Sequence, residues 1–461
     1  MNDSAHGGMH AGRRSSTRAQ LTDGNVPRML IRLTIPMIFG VLSMVLYNLV
    51  DTLFVGRLGA DQLAALSFTF PVVLVISSLA LGIGIGVSAA VSRAIGAGDH
   101  DRVRRLATDS LVLALLIVGA FSAAGILTID PLFRLLGANE RILPYIRDYM
   151  TIWYPGMVFV VFPMVGNHAI RATGDTRTPG IVMMIGALAN AVLDPLLIFG
   201  IGPFPALGIR GAAAATLLGR SITFVVAIYV LSVREGLLDF RRPKIAAVLS
   251  SWKEILYVGI PAAATRMIVP IGAGIVTRIL SEYGPETVAG YGVATRIEFF
   301  GLAIIRALAA VMAPFIGQNL GAGKISRIRE GYRAAQRMSA VVGGSFFVVL
   351  FFLAGPIARL FTEAPEVVET TMRYLRVVPV AYALQGIYMI SAPGLNVLHK
   401  PLIAAGLGAM EMIALIAPLA LLGSWLFGIT GTFAGIAVSY AITGVLSRTA
   451  FHRTLASIGG A

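Results

Sequence analysis

The sequence predicts an all-α integral membrane protein, with twelve transmembrane helices in two pseudo-symmetric six-helix lobes. Three observations carry this. Of 461 residues, 56% are hydrophobic and only 13% are charged, against roughly 25% charged in an ordinary soluble chain. The apolar residues gather into twelve stretches, each close to the ~20 residues that a membrane-crossing helix needs. The second half of the chain also repeats landmarks of the first.

The first six spans read Leu33–Val55, Leu66–Val91, Ala107–Ile129, Tyr145–Ile170, Pro179–Gly200 and Gly211–Val233. The second six read Ile255–Ile279, Val288–Ile316, Ala334–Leu353, Val377–Leu398, Leu402–Leu422 and Ile429–Leu446. All are much longer than buried strands, and hydrocarbon requires each backbone to bond within its own segment, so they are helices. A soluble helical core would need polar helix faces that these stretches lack. The lobes are therefore expected at 29–233 and 254–450. Residues 1–28, polar and without an apolar core, read as a disordered tail rather than a signal peptide. Residues 234–253 read as the inter-lobe linker, with Arg241, Arg242, Pro243 and Lys244, and residues 451–461 as a C-terminal tail.

An even number of spans puts both termini on one side. Lys and Arg number 24 on that side and 9 on the other. Positive loops stay in the cytoplasm, so a multi-pass plasma-membrane protein with cytoplasmic termini is expected. The same bias and the scarcity of acids account for the net charge of +14 without a nucleic-acid partner. There is no Cys, and the six His have no metal-ligand spacing. With no nucleophile–base pair either, an enzyme is not expected.

A gap-free offset of 225 pairs Ile35-Pro36 with Ile260-Pro261, Gly59 with Gly284, and Gly96-Ala97-Gly98 with Gly321-Ala322-Gly323. The same register pairs Arg102 with Arg327 and Arg104 with Arg329. Further on, Gly208-Ile209 matches Gly428-Ile429 at an offset of 220. Six spans per copy give both copies the same orientation, with a cleft between them, as in alternating-access transporters.

Ionisable groups in hydrocarbon are costly, by at least ~2.5 kcal/mol, and face the protein interior or a wet cavity. Asp51 lies near the outer end of the first span, and Asn190 and Asp194 share one face of the fifth at i and i+4. Thr216 lies in the sixth. Two carboxylates at similar depth in low dielectric make a protonatable pair, and the same oxygens suit Na⁺. On the residues alone, Asp51 also reads as an interfacial helix end, and Asp194 as a group satisfying backbone loosened by Pro195. In the second lobe, Glu298 reads chiefly as half of a structural ion pair. Arg296 is too near along the helix to face it, so the pairing would be between helices. Coupling or substrate contact is the other reading. Glu411 has no evident partner. Pro36 and Pro261 each remove a helical hydrogen bond and can kink the first span of their lobe.

At these residues the chain resembles the MATE family, the multidrug and toxic compound extrusion transporters. The resemblance rests on Leu49-Val50-Asp51-Thr52-Leu53-Phe54-Val55-Gly56-Arg57-Leu58-Gly59, on Arg171 to Pro179, on Asn190-x-x-x-Asp194-Pro195, on Gly211 to Thr216, and on Gly317-Gln318-Asn319-Leu320-Gly321-Ala322-Gly323. It spans Pro36 to about Leu446. It implies a V-shaped pair of lobes and a secondary active antiporter that exports organic, often cationic, compounds in exchange for H⁺ or Na⁺. It also implies cation coupling at Asp51, Asn190, Asp194 and Thr216, with bending at Pro36. The seventh span carries no acid, which resembles the DinF-like branch.

Met157, Phe159, Phe162 and Met164 are the expected apolar walls of a substrate cavity. The alternative reading is a flippase for lipid-linked saccharide precursors, whose pyrophosphate Arg266, Arg296 and Arg306 would hold. The expected partners are small-molecule drugs and the lipid bilayer. A monomer is expected, with a coupling ion and no cofactor.

Overall fold

The computed structural model describes residues 20–239, 241 and 244–459. Most of the expected N-terminal tail, and Arg242 and Pro243 of the linker, lie outside the described residues. Among those described, the spans of the first lobe are α1 (Val26–Gly56), α2 (Ala60–Gly96), α3 (His100–Leu127), α4 (Leu143–Ala172), α5 (Arg177–Phe199) and α6 (Ile209–Arg234). A short helix, Ile129–Leu135, follows α3. The second lobe has α7 (Ile245–Ser281), α8 (Pro285–Gly301 and Ala303–Gly321), α9 (Ile325–Arg359) and α10 (Pro365–Val397). One continuous helical stretch, Pro401–Gly459, holds the last two spans. It breaks at Phe427 and Gly428, whose backbone is non-helical, into α11 (401–426) and α12 (429–459).

The repeat is written in the backbone. Gly59 and Gly284 precede α2 and α8 with φ of 135° and 109°. Gly98 and Gly323 follow the same helices at 75° and 71°, and Gly208 and Gly428 lead into α6 and α12 at 56° and 62°. Only glycine adopts such angles readily, so the paired glycines mark paired turns.

The lobes meet on the side that carries the termini. There α2 packs against α7 through Gly82 on Gly259 and Gly86 on Ile255, and against α8 through Gly96 on Gln318 and Gly317 on Ser92. At these glycines a Cβ has no room, so the backbones touch. Small residues of this kind are what hold membrane helices together in the absence of a hydrophobic driving force. Glu254 braces the seam, bonding Arg93 at 2.9 Å and Arg102 at 2.7 Å.

Three expected boundaries change. The first helix begins at Val26, within the expected tail, because Asn25 caps it by accepting from the Arg28 N–H at 3.1 Å. Leu21 is buried: its N–H donates to Gln318 at 3.0 Å and its carbonyl accepts from Asn319 at 3.1 Å. Helix α7 begins at Ile245, so 245–253 are helix rather than linker. The Trp252 indole there anchors on the Asp109 carbonyl at 2.9 Å. The C-terminal residues continue α12 to Gly459, with Phe451 buried and stacked on Tyr332 at 3.9 Å. The first change rests on a local cap; the other two rest on aromatic side chains that meet partners distant in sequence.

Candidate functional site

Three helices of the first lobe each present a polar pair at i and i+4, hence on one face: Tyr47 and Asp51 on α1, Asn190 and Asp194 on α5, Thr216 and Arg220 on α6. Close packing brings them together. Gly180 of α5 sits so near α1 that a Cβ there would lie 2.7 Å from the Pro36 carbonyl oxygen. Gly219 of α6 faces the Asn190 backbone, with room for ordinary contact only. The Thr176 hydroxyl donates to the Leu33 carbonyl at 2.8 Å, one turn before Pro36. The turn before the proline is therefore tied to the residue that caps α5.

Asp194 and Asn190 are buried, at 0% and 1% exposure. The Asn190 amide donates to Asp194 Oδ1 at 3.0 Å. Two oxygens of this pair, Asp194 Oδ2 and Asn190 Oδ1, are buried without a partner. Asp51 is half-buried and acts electrostatically on Asp194. The Tyr47 and Thr216 hydroxyls are 3.4 Å apart, and the Arg220 guanidinium lies 4.9 Å from the centre of the Tyr47 ring. Arg220 faces Asp51 as an opposing charge. The sequence reading missed Tyr47 and Arg220. Arg220 was visible as a cation inside a span, by the same cost argument that found the acids.

Other expected residues settle differently. The Gly174-Asp175-Thr176 segment is a helix cap: Asp175 accepts from the N–H groups of Arg177 at 2.9 Å and Thr178 at 3.0 Å, and from Arg234 at 2.9 Å. Met157 is fully buried in first-lobe packing, and Phe162, at 7% exposure, packs on Phe224 with Phe159. Those two are core rather than cavity wall, because α4 is the central helix of its lobe. Phe159 and Met164 are half-buried at the edge of that core.

The ion-pair reading of Glu298 is corrected. Glu298 is buried, and no Lys or Arg pairs with it among the described residues. The Tyr374 hydroxyl donates to one of its oxygens and Tyr440 to the other, at 3.0 Å. Arg296 is exposed on another face of the helix. Phenols from α10 and α12 supply the hydrogen bonds that an arginine would have made, a grouping that linear spacing cannot show.

Two further cations lie within the spans of the second lobe. Arg266 of α7 is exposed, and Arg306 of α8 lies 4.5 Å over the Phe299 ring. Arg306 feels both Arg266 and the opposing charge of Glu298, and Arg266 also acts on His168 of α4, across the lobes. Neither forms an ion pair among the described residues.

The MatE family model matches residues 36–196 and 261–422, one match in each lobe. The chain belongs to the MATE family. It is thus a membrane transport protein and not an enzyme. It is 37% identical to a FAD transporter of Shewanella oneidensis, over 93% of this chain and 95% of that one. It is 25% identical to the multidrug export protein MepA of Staphylococcus haemolyticus, over 92% and 93%. The fold matches the MATE transporter VcmN of Vibrio cholerae in its bent form, with a TM-score of 0.89, 30% identity, and coverage of 96% and 99%.

Proposed function

We propose that this MATE protein is a secondary active efflux antiporter. It exports organic compounds in exchange for H⁺ or Na⁺, coupled through Asp51, Asn190, Asp194 and Thr216. The observation that carries the reading is the buried Asn190–Asp194 pair with its two unpartnered oxygens. A buried polar atom without a partner costs about 1–3 kcal/mol, more if charged. A proton on Asp194 or a Na⁺ between the oxygens removes that penalty. Loss of the cation leaves a carboxylate that favours hydration, and hence a different packing of α1, α5 and α6. Pro36 is the place where α1 bends, since it has no N–H to bond the preceding turn. Antiport then requires cation and cargo to favour opposite states. Both termini are cytoplasmic in the plasma membrane, so the lobe seam closes the cytoplasmic side, and the monomer is the working unit.

The cargo reading has two branches. Export of organic cations is the family expectation and is consistent with likeness to MepA. Arg266 and Arg306, outside any salt bridge among the described residues, favour an organic anion such as a flavin dinucleotide, the cargo named for the Shewanella relative. The test is uptake into proteoliposomes of opposed polarity, with a fluorescent organic cation and FAD presented separately, under an imposed pH or Na⁺ gradient. Gradient-driven movement of either identifies the cargo class. Movement that persists unchanged in Asp51→Asn removes Asp51 from the coupling.

A further inference from the structure

The second lobe holds a carboxyl–carboxamide pair with the same pattern as Asn190–Asp194. Glu411 of α11 is 0% exposed and Gln385 of α10 is 7% exposed. The Gln385 amide donates to Glu411 Oε1 at 2.9 Å. The remaining oxygens, Glu411 Oε2 and Gln385 Oε1, are both buried without a partner. The two lobes therefore leave the same two atoms unsatisfied. The pairs are built differently: Asn190 and Asp194 lie on one helix, whereas Gln385 and Glu411 join two.

We propose that Glu411 and Gln385 form a second proton-binding site, in the C-terminal lobe, separate from the first-lobe coupling site. A carboxylate offers two acceptors and no donor, whereas a carboxamide offers both. With Glu411 ionised, the amide N–H has its acceptor and two oxygens face each other's neighbourhood with no hydrogen between them. Adding one proton to Oε2 supplies that hydrogen. The acid then donates to Gln385 Oε1 while the amide donates to Oε1, and the pair closes into a cyclic acid–amide unit. No other atom is needed and no bond to carbon changes.

The local backbone supports the site. Glu411 lies in a π-helical turn, Met410–Ile416. Such wide turns are uncommon and concentrate at functional positions. The turn packs on α7, where Met412 lies against Gly272. The charged and titratable groups coupled to Glu411 are Glu298 of α8, Tyr388 of α10 and Tyr440 of α12, with Arg266 of α7 one step further, beside Tyr388. Glu298 acts on Glu411 directly, Glu411 acts on both tyrosines, and Arg266 acts on Tyr388. The only acid in that set, Glu298, is already held by two phenols, which leaves Glu411 as the carboxyl with a vacant acceptor.

The experiment is infrared difference spectroscopy of the purified full-length protein in lipid, stepped in pH, with Na⁺ absent and then added. Wild type is expected to show a carboxylic-acid carbonyl band that shifts in D₂O. The band should be lost in Glu411→Gln, retained in Asp51→Asn and Asp194→Asn, and displaced in Gln385→Met, which keeps the acid but removes its hydrogen-bond partner. The retained band in the two first-lobe variants separates this site from the coupling reading above. Spectra of Glu411→Gln identical to wild type would overturn the proposal. So would removal of the band by Na⁺ at constant pH, which would make the ligand a metal cation. Should Glu411→Gln fail to fold, the displacement in Gln385→Met decides: an unmoved band overturns the assignment.

Discussion

The two lobes share a chain path, but Asp194 of the first and Glu298 of the second are buried in opposite ways. In the first lobe, Asp194 has one hydrogen bond, from its own helix, and one bare oxygen. In the second, Glu298 has both oxygens taken by tyrosines from two other helices. A carboxylate satisfied on all sides cements three helices together. One left half-satisfied keeps a standing demand for a proton or cation. Duplication thus supplied two frames, and the distribution of partner groups left Asp194 with a bare oxygen and Glu298 with none.

The comparison is broken most directly at Asp194. Asp194→Asn should abolish gradient-driven export, by more than about tenfold, or about 1.4 kcal/mol, with little change in melting temperature, since the amide keeps the shape. Gradient-driven flux near the wild-type level would put the switch elsewhere. Glu298→Ala should do the reverse. It orphans the hydroxyls of Tyr374 and Tyr440, and lost hydrogen bonds to a charged group are worth about 1.5–3 kcal/mol each. A clear fall in melting temperature with coupling intact in the folded fraction is expected. Loss of coupling without loss of stability would give Glu298 a role in the cycle.

Gly180→Val sharpens the hinge side. Its Cβ would press on the Pro36 carbonyl, and overpacking of this kind costs about 1–3 kcal/mol. Slowed export with cation dependence retained is expected, read as initial rate against proton gradient. The smallest effect belongs to Asp23, on the surface. The Lys324 ammonium, bonded to it at 2.9 Å, holds its carboxyl below the usual carboxylate range. Its stabilisation is therefore fully present above about pH 4 and is lost as the pH falls through the lowered value. The difference in melting temperature between wild type and Asp23→Asn should be flat from neutral to mildly acidic pH. Below that, wild type should converge on Asp23→Asn, and salt should shrink the gap because the pair is exposed.

Much of this was legible in the chain. Asn190 and Asp194 stand four apart on one helix, and that spacing alone puts them on one face. Pro36 and Pro261, and the paired glycines, announced the duplication. Tyr374 and Tyr440 were not legible as the partners of Glu298, being 76 and 142 residues away along the chain. Nor was Gln385 as the partner of Glu411, and Met157 read as a cavity wall because its place at the centre of the lobe is a matter of packing.

The sequence by itself determined the number of spans, their pairing into two copies and the acids worth attention. These follow from local properties, since the length and polarity of a segment set its cost in hydrocarbon whatever surrounds it. Tertiary structure alone decided which polar atoms found partners. Hydrogen bonds act over about 3 Å, and only the packed arrangement brings groups from distant helices within that reach or leaves them outside it.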